Sequence, residues 1–147
     1  MIEFTELRGK TLVFYDGVCG LCNRLVRVLL ALDHHDRLRF TPLQTAFSAA
    51  VLSRHGIQTS DLNSIMVLGN PGEAAERVHT RSDAILYLAR VLGGIYRLVA
   101  VSKLIPARFR DGLYDLTARN RYRLFGRHDF CPVPRPEHRK KFIAADM

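Results

Sequence analysis

The stretch "TLVFYDGVCGLCNRLVRVLLAL" constrains this chain more than any other part of it. Residues 11–15 form a continuous apolar run rich in strand formers, the pattern of a central strand covered on both faces. The turn pair Asp16-Gly17 stops it. Beyond the turn, Leu21, Leu25, Val28, Leu29 and Leu32 recur at helical spacing, with Asn23, Arg24 and Arg27 on the other side. Cys19 and Cys22 therefore straddle a strand-to-helix junction, which begins an α/β fold.

The rest of the chain extends that alternation. "RLRFT" reads as a short second strand ended by Pro42, and "TAFSAAVLSRHG" as a helix closed by Gly56. "NSIMVLG" is a third strand, joined through Asn70-Pro71-Gly72 to a weaker one near "AERVHT" in a hairpin. "TRSDAILYLARVLGG" is a helix whose Thr80-x-x-Asp83 spacing resembles a capping box and whose Gly93-Gly94 pair ends it. The order is β-α-β-α-β-β-α. Two further helical segments follow, "IYRLVAVSKLI" and, after Pro106, "ARFRDGLYDLTARNRYRLFG", where Asp115 and Arg119 give i,i+4 support. The 147 residues read as a single domain: a core over 10–93, a helical extension over 94–126, and a basic, proline-rich tail over 127–147 lying on the surface or partly disordered.

A thiol at the first turn of a helix faces unpaired backbone N–H groups and the positive end of the helix dipole, both of which favour the thiolate. The thiolate is the reactive species in disulfide exchange, so Cys19 is the expected nucleophile. Cys22, one turn further in, can reach back and resolve a mixed disulfide. Asp16 precedes Cys19 by three residues, and its negative charge would oppose a thiolate there. Its expected part is proton handling toward Cys22, or organising the turn through backbone N–H groups. Gly17 and Gly20 permit a tight backbone beside the sulfurs.

The "YDGVCGLC" stretch resembles the signature of the DCC thiol-disulfide oxidoreductase family, with Asp16, Cys19 and Cys22 in the places of the Asp and two Cys. "RSDAILYLAR" and "RDGLYDLTARNRYRLFG" are also similar to family segments, so the likeness runs from about Thr11 to Gly126. The resemblance implies a thioredoxin-like core and redox activity on a thiol or disulfide substrate, either a protein or a small thiol. Thioredoxins place a cis-proline just before the third core strand, whereas "HGIQTSDLNSIMVL" holds no proline. Its absence alters how an extended substrate chain pairs beside the sulfurs and leaves room for a metal.

Other chemistries draw on some of the same residues. His128-x-x-Cys131 has zinc-ligand spacing, and with Cys19-x-x-Cys22 it would make a Cys3His zinc or an iron-sulfur site if the tail folds back. Cys131 alone reads as an isolated thiol, and the two cysteines of the pair could instead be packing. "LVFYDGV" is similar to the strand-end loop of haloacid-dehalogenase-like phosphatases. Their nucleophilic Asp would fall where this chain has Phe14, which leaves that mechanism without a nucleophile. No glycine-rich loop implies an organic cofactor. His34 and His35 read as solvated residues near a helix end.

Charge is uneven along the chain. Of the formal +8, residues 106–147 supply 10 Lys and Arg against 5 Asp and Glu. Arg119, Arg121, Arg123 and Arg127 interleave with Tyr122 and Phe125 in a pattern open to nucleic acid, an acidic protein or a membrane surface, though such a helix more often makes one packed and one solvated face. "YLARVLGGIYRLVAVSKLI" is interrupted by Arg90, Arg97 and Lys103, so no transmembrane segment is expected. Acidic residues and the lack of an apolar core in "MIEFTELRGK" argue against a signal peptide, and an odd number of cysteines fits a reducing, cytoplasmic setting.

Overall fold

In a computed structural model of the chain, which describes residues 7–17, 20–58, 65–93, 98, 104–125 and 140–143, strand β1 (Thr11–Tyr15) is buried along its whole length. It lies between β2 (Leu38–Pro42), which runs parallel to it, and β3 (Met66–Gly69), which runs antiparallel. A fourth strand, β4 (Arg77–Thr80), pairs antiparallel with β3 at the far edge, giving the order β2-β1-β3-β4. The alternation expected of a strand divides β1 between two apolar clusters. Val13 and Tyr15 meet α1 (Gly20–Leu32) and α3 (Arg81–Leu92) on one face, while Leu12 and Phe14 meet α2 (Ala46–Ser53) on the other. The element order read from the sequence is thus observed, in a mixed α/β architecture consistent with a thioredoxin-like fold.

Local chemistry accounts for the boundaries. Thr45 caps α2 by accepting the Ser48 N–H at 3.1 Å, and the chain leaves that helix through Gly56 at φ 73°. The β3–β4 hairpin turns through Asn70, at φ 53°, and Gly72, at φ 74°, as the Asn-Pro-Gly run predicted. Thr80 does stand at the N-cap of α3, but its side chain makes no capping hydrogen bond, so the capping-box expectation holds only for the position. Gly93, at φ 71°, ends that helix.

Helix α4 (Ala107–Phe125) follows Pro106, whose carbonyl accepts the N–H groups of Phe109 and Arg110, and it lies against α1 and α3. Of the segment "IYRLVAVSKLI" only Leu98, Leu104 and Ile105 are described, so its expected helix lies outside the described residues.

Two departures from expectation concern packing. The buried face of α1 is Cys22, Val26 and Leu29, whereas Val28, expected inside, is half exposed. The expected row of Leu21, Leu25, Val28, Leu29 and Leu32 leaves out Val26; the helix instead turns Val26 and the small Cys22 into the cluster that holds Tyr15. The end of the expected surface tail also enters the core. The Ile143 N–H donates to the Phe40 carbonyl at 2.7 Å, Phe142 forms a parallel bridge with Phe40, and Ile143 is buried. This contact covers part of the β2 edge, where unpaired backbone groups would otherwise face water.

Candidate functional site

Strand β1 delivers Asp16 and Gly17 to the C-terminal end of the parallel pair, and α1 begins three residues later at Gly20. Of the three predicted site residues the structure describes Asp16 and Cys22; Cys19 lies outside the described residues. Cys22 occupies the first turn of α1, where backbone N–H groups lack helical acceptors. Its side chain is buried in the cluster that includes Val13, Tyr15, Val26 and Leu29. A sulfur so enclosed is screened from a bulky external disulfide.

Asp16 is also buried, and a residue that the motif does not contain holds it. The Gln44 amide donates from Nε2 to Asp16 Oδ1 at 2.8 Å, while its Oε1 accepts the Gly17 N–H at 3.2 Å. The two bonds fix which end of the amide faces which partner, because only the nitrogen can donate and only the oxygen can accept. From the other side, Asn23 Nδ2 donates to the Gly17 carbonyl at 2.8 Å. The turn before the cysteines is therefore clamped by side chains from the β2–α2 junction and from α1.

That junction is itself well anchored. Leu43 N–H donates to the Tyr15 carbonyl at 2.8 Å, and the Ser48 hydroxyl donates to the Pro42 carbonyl at 2.7 Å. Thr41, Thr45 and Ser48 add a buried hydroxyl cluster behind it. The sequence gives no sign of Gln44, and it shows Asn23 only as part of the polar side of α1, because neither belongs to a catalytic pattern. The available signal was positional: the loop after β2 must run beside the loop after its parallel neighbour β1.

A third contact reaches the same end of the sheet. The Ile65 N–H, just before β3 and thus in the place where a cis-proline was missed, donates to the Tyr114 hydroxyl of α4 at 3.2 Å. The extension helix therefore satisfies a backbone donor at the strand end beside Tyr15. Burial together with the Arg77 charge pushes His79 down, and its ring stacks on Tyr87 with centroids 4.2 Å apart.

Among the described residues, no group of three or more His, Cys, Asp or Glu side chains could hold a metal ion. The Cys3His set is not placed, since Cys19, His128 and Cys131 lie outside the described residues. Among the described residues, too, no helix is long and apolar enough to cross a membrane. Arg119 and Arg123 are exposed on α4, as a solvated face requires, whereas Arg127 and the side chains of Arg121, Tyr122 and Phe125 are outside what is described. His34 and His35 are exposed, as expected.

Comparison with known proteins agrees with the motif. The family described as DCC1-like, a DCC1-like thiol-disulfide oxidoreductase, matches residues 13–127. An uncharacterized protein of Bacillus subtilis, YuxK, is 31% identical over 138 residues, spanning 94% of this chain and 96% of the relative. A DCC family protein of Arabidopsis thaliana, described as chloroplastic, is 31% identical over 132 residues, spanning 89% of this chain and 74% of the relative. No solved structure matches the chain significantly.

Proposed function

Since the chain belongs to the DCC1-like thiol-disulfide oxidoreductase family, we propose that it exchanges thiols and disulfides through the pair Cys19 and Cys22, with Asp16 beside them. Membership supports a redox function. The dithiol mechanism is our reading, and the observation that carries it is the position of Cys22: buried in the first turn of a helix that starts directly after a central strand, next to a clamped turn bearing Asp16.

In the proposed reaction the Cys19 thiolate attacks one sulfur of a substrate disulfide. A Cys19–substrate disulfide forms and the other substrate sulfur leaves as a thiolate, which takes a proton. Cys22 then gives up its proton, for which Asp16 is the proposed acceptor, and attacks the Cys19 sulfur. The second substrate thiol leaves, so the substrate has gained two electrons and the protein holds a Cys19–Cys22 disulfide. An external thiol or dithiol reduces that disulfide, and with an oxidising partner the sequence runs in reverse. Burial of Cys22 suits this division, because a sulfur hidden from external disulfides can still meet one already attached to its neighbour.

The roles are tested by two single variants incubated with a disulfide substrate and analysed by mass spectrometry under non-reducing conditions. Cys22→Ser is expected to accumulate a mixed disulfide through Cys19, and Cys19→Ser to abolish exchange. Equal trapping by both variants would overturn the assignment of attacking and resolving thiols. Labelling the thiols of the unaltered protein across a graded glutathione buffer should show a reversible two-electron transition; thiols protected until a chelator is added would point to metal instead.

A further inference from the structure

We propose that the outward face of α4 seats the protein on an anionic lipid surface. Among the described side chains of α4, the large apolar ones lie outward. Arg110, Asp111, Tyr114 and Asp115 are half-buried; the Tyr114 hydroxyl takes the Ile65 N–H, and the Arg110 guanidinium lies 3.8 Å from the Asp83 carboxylate of α3. The side turned away carries Phe109, Leu113, Leu116 and Leu124, exposed by 67%, 66%, 55% and 68%. Spacings of four, three and eight residues set these four on one face of a helix with 3.6 residues per turn. Leu104, 85% exposed, extends the apolar surface before the helix begins. Among the described residues nothing covers this row of phenylalanine and leucine.

Charge selects the occupant. Arg108, Arg119 and Arg123 are exposed along one border of the apolar row. The two acidic residues of α4, Asp111 and Asp115, are half-buried, Asp111 on the side opposite the apolar row and Asp115 beside the arginine border. A second copy laid face to face would therefore set three exposed arginines against three, with only the half-buried Asp115 beside that border. Phosphate and carboxylate headgroups supply the missing negative charge, and the acyl boundary beneath them takes the leucines and the phenylalanine. Shape agrees, since the row from Leu104 to Leu124 runs about 30 Å along a convex helix. A bilayer surface can meet that whole length, whereas a groove that binds a helix engages anchors over about two turns. The surface owes nothing to the chemistry of the cysteines, and it needs no membrane-spanning segment.

The test is co-sedimentation of the full chain with phosphatidylcholine vesicles, with and without phosphatidylserine. Binding is expected only to the anionic vesicles and is expected to fall on raising the salt to about 0.5 M, where screening is short. Leu113→Gln with Leu116→Gln leaves every charge in place and should weaken binding about tenfold or more, because the inserted apolar area is lost. Arg119→Gln with Arg123→Gln should weaken it by a smaller factor and only on anionic vesicles. Circular dichroism and the thermal midpoint show whether each variant is folded, and the arginine pair keeps the test alive if the leucine pair is not. Three results would overturn the proposal. The wild type could fail to bind at low salt, or the leucine variant could bind as well as wild type, leaving the charge of the C-terminal region as the sole cause. Lastly, the protein could prove to be a dimer by light scattering without lipid that the leucine variant dissociates, in which case the face belongs to a second copy.

Discussion

Two buried aspartates stand at opposite ends of the β1–β2 pair, and the fold treats them differently. Asp33, before β2, accepts the Arg37 N–H at 2.8 Å on Oδ1, and on Oδ2 the Leu38 N–H at 3.0 Å and the Lys141 ammonium at 2.9 Å. Burial alone would raise its pKa, but the Arg37 N–H, Lys141 and the Leu38 N–H together outweigh it and hold the carboxyl below its ordinary value. Asp16, after β1, accepts instead from the neutral amide of Gln44, whose own side chain is exposed. One carboxylate fastens a helix exit, a strand start and the distant C-terminal residues. The other is held by a partner that can be altered from the solvent without disturbing the sheet. The two carboxylates are thus held by different kinds of partner, although burial alone would not distinguish them.

The comparison breaks most readily at Asp33. Asp33→Ala leaves two backbone N–H groups and a nearly buried lysine without their acceptor, which costs about 3 kcal/mol. In a domain of this size that lowers the thermal midpoint by about 6–12 °C. The exchange rate of the protein that remains folded should not change, since Asp33 lies at the opposite end of the sheet from the cysteine motif. Thermal denaturation and a thiol-exchange assay on the same sample read both. A midpoint unmoved by Asp33→Ala would make the two aspartates equivalent as structural elements.

Acid titration sharpens the same point. Asp33 and Glu76 have folded-state pKa values below their ordinary 3.8 and 4.5, Glu76 because its Gly72 N–H, Arg54 and His55 partners outweigh its burial. A depressed carboxylate contributes stability that is fully present above its unfolded pKa and is lost as pH falls toward the folded one. His79 acts with the same sign from a higher starting point. Its unfolded form takes up a proton near 6.5 while the folded form resists, so stability declines as pH drops below that value. Urea midpoints measured across this range should therefore fall gently below 6.5 and steeply below about 4.5. Asp33→Asn should flatten the lowest part, and an unchanged slope there would mean that Asp33 is not held ionised by the fold.

Asp16 was legible in the sequence and Asp33 was not, for a physical reason. Asp16 sits in a motif whose spacing carries meaning by itself, between an apolar strand and two cysteines. The role of Asp33 depends on Lys141, 108 residues away, and on a C-terminal contact that a run of prolines and basic residues disguised as a solvated tail. The signal was the apolar pair Phe142-Ile143, which has no reason to be in a solvated segment. Local signals served the strands and turns well, from the buried run of β1 to the Asn70-Pro71-Gly72 hairpin. Faces were less legible than elements. The spacing gave α1 and α4 as helices, but which side each presents was decided by partners: the sheet, which takes Cys22 in preference to Val28, and the polar groups that turn α4 over. The Gln44 clamp belongs with these, since it rests on two loops meeting rather than on any local pattern.

The smallest stability effect and the most informative kinetic one are expected at Gln44. Gln44→Met keeps the length of the side chain and removes both of its hydrogen bonds, at about 1 kcal/mol, the Gln44 side chain itself being exposed. If Asp16 handles the proton of Cys22, the orientation of its carboxylate matters, and Gln44→Met should alter the pH dependence of exchange in the same direction as Asp16→Asn, but less. A double variant separates this from a general loosening of the turn. Where Gln44 acts only through Asp16, adding Gln44→Met to Asp16→Asn changes the pH profile no further, because the group it positions is already gone. Additive effects would place Gln44 in the turn itself, through the Gly17 N–H, and Asp16 would then join Asp33 as a residue that builds the fold.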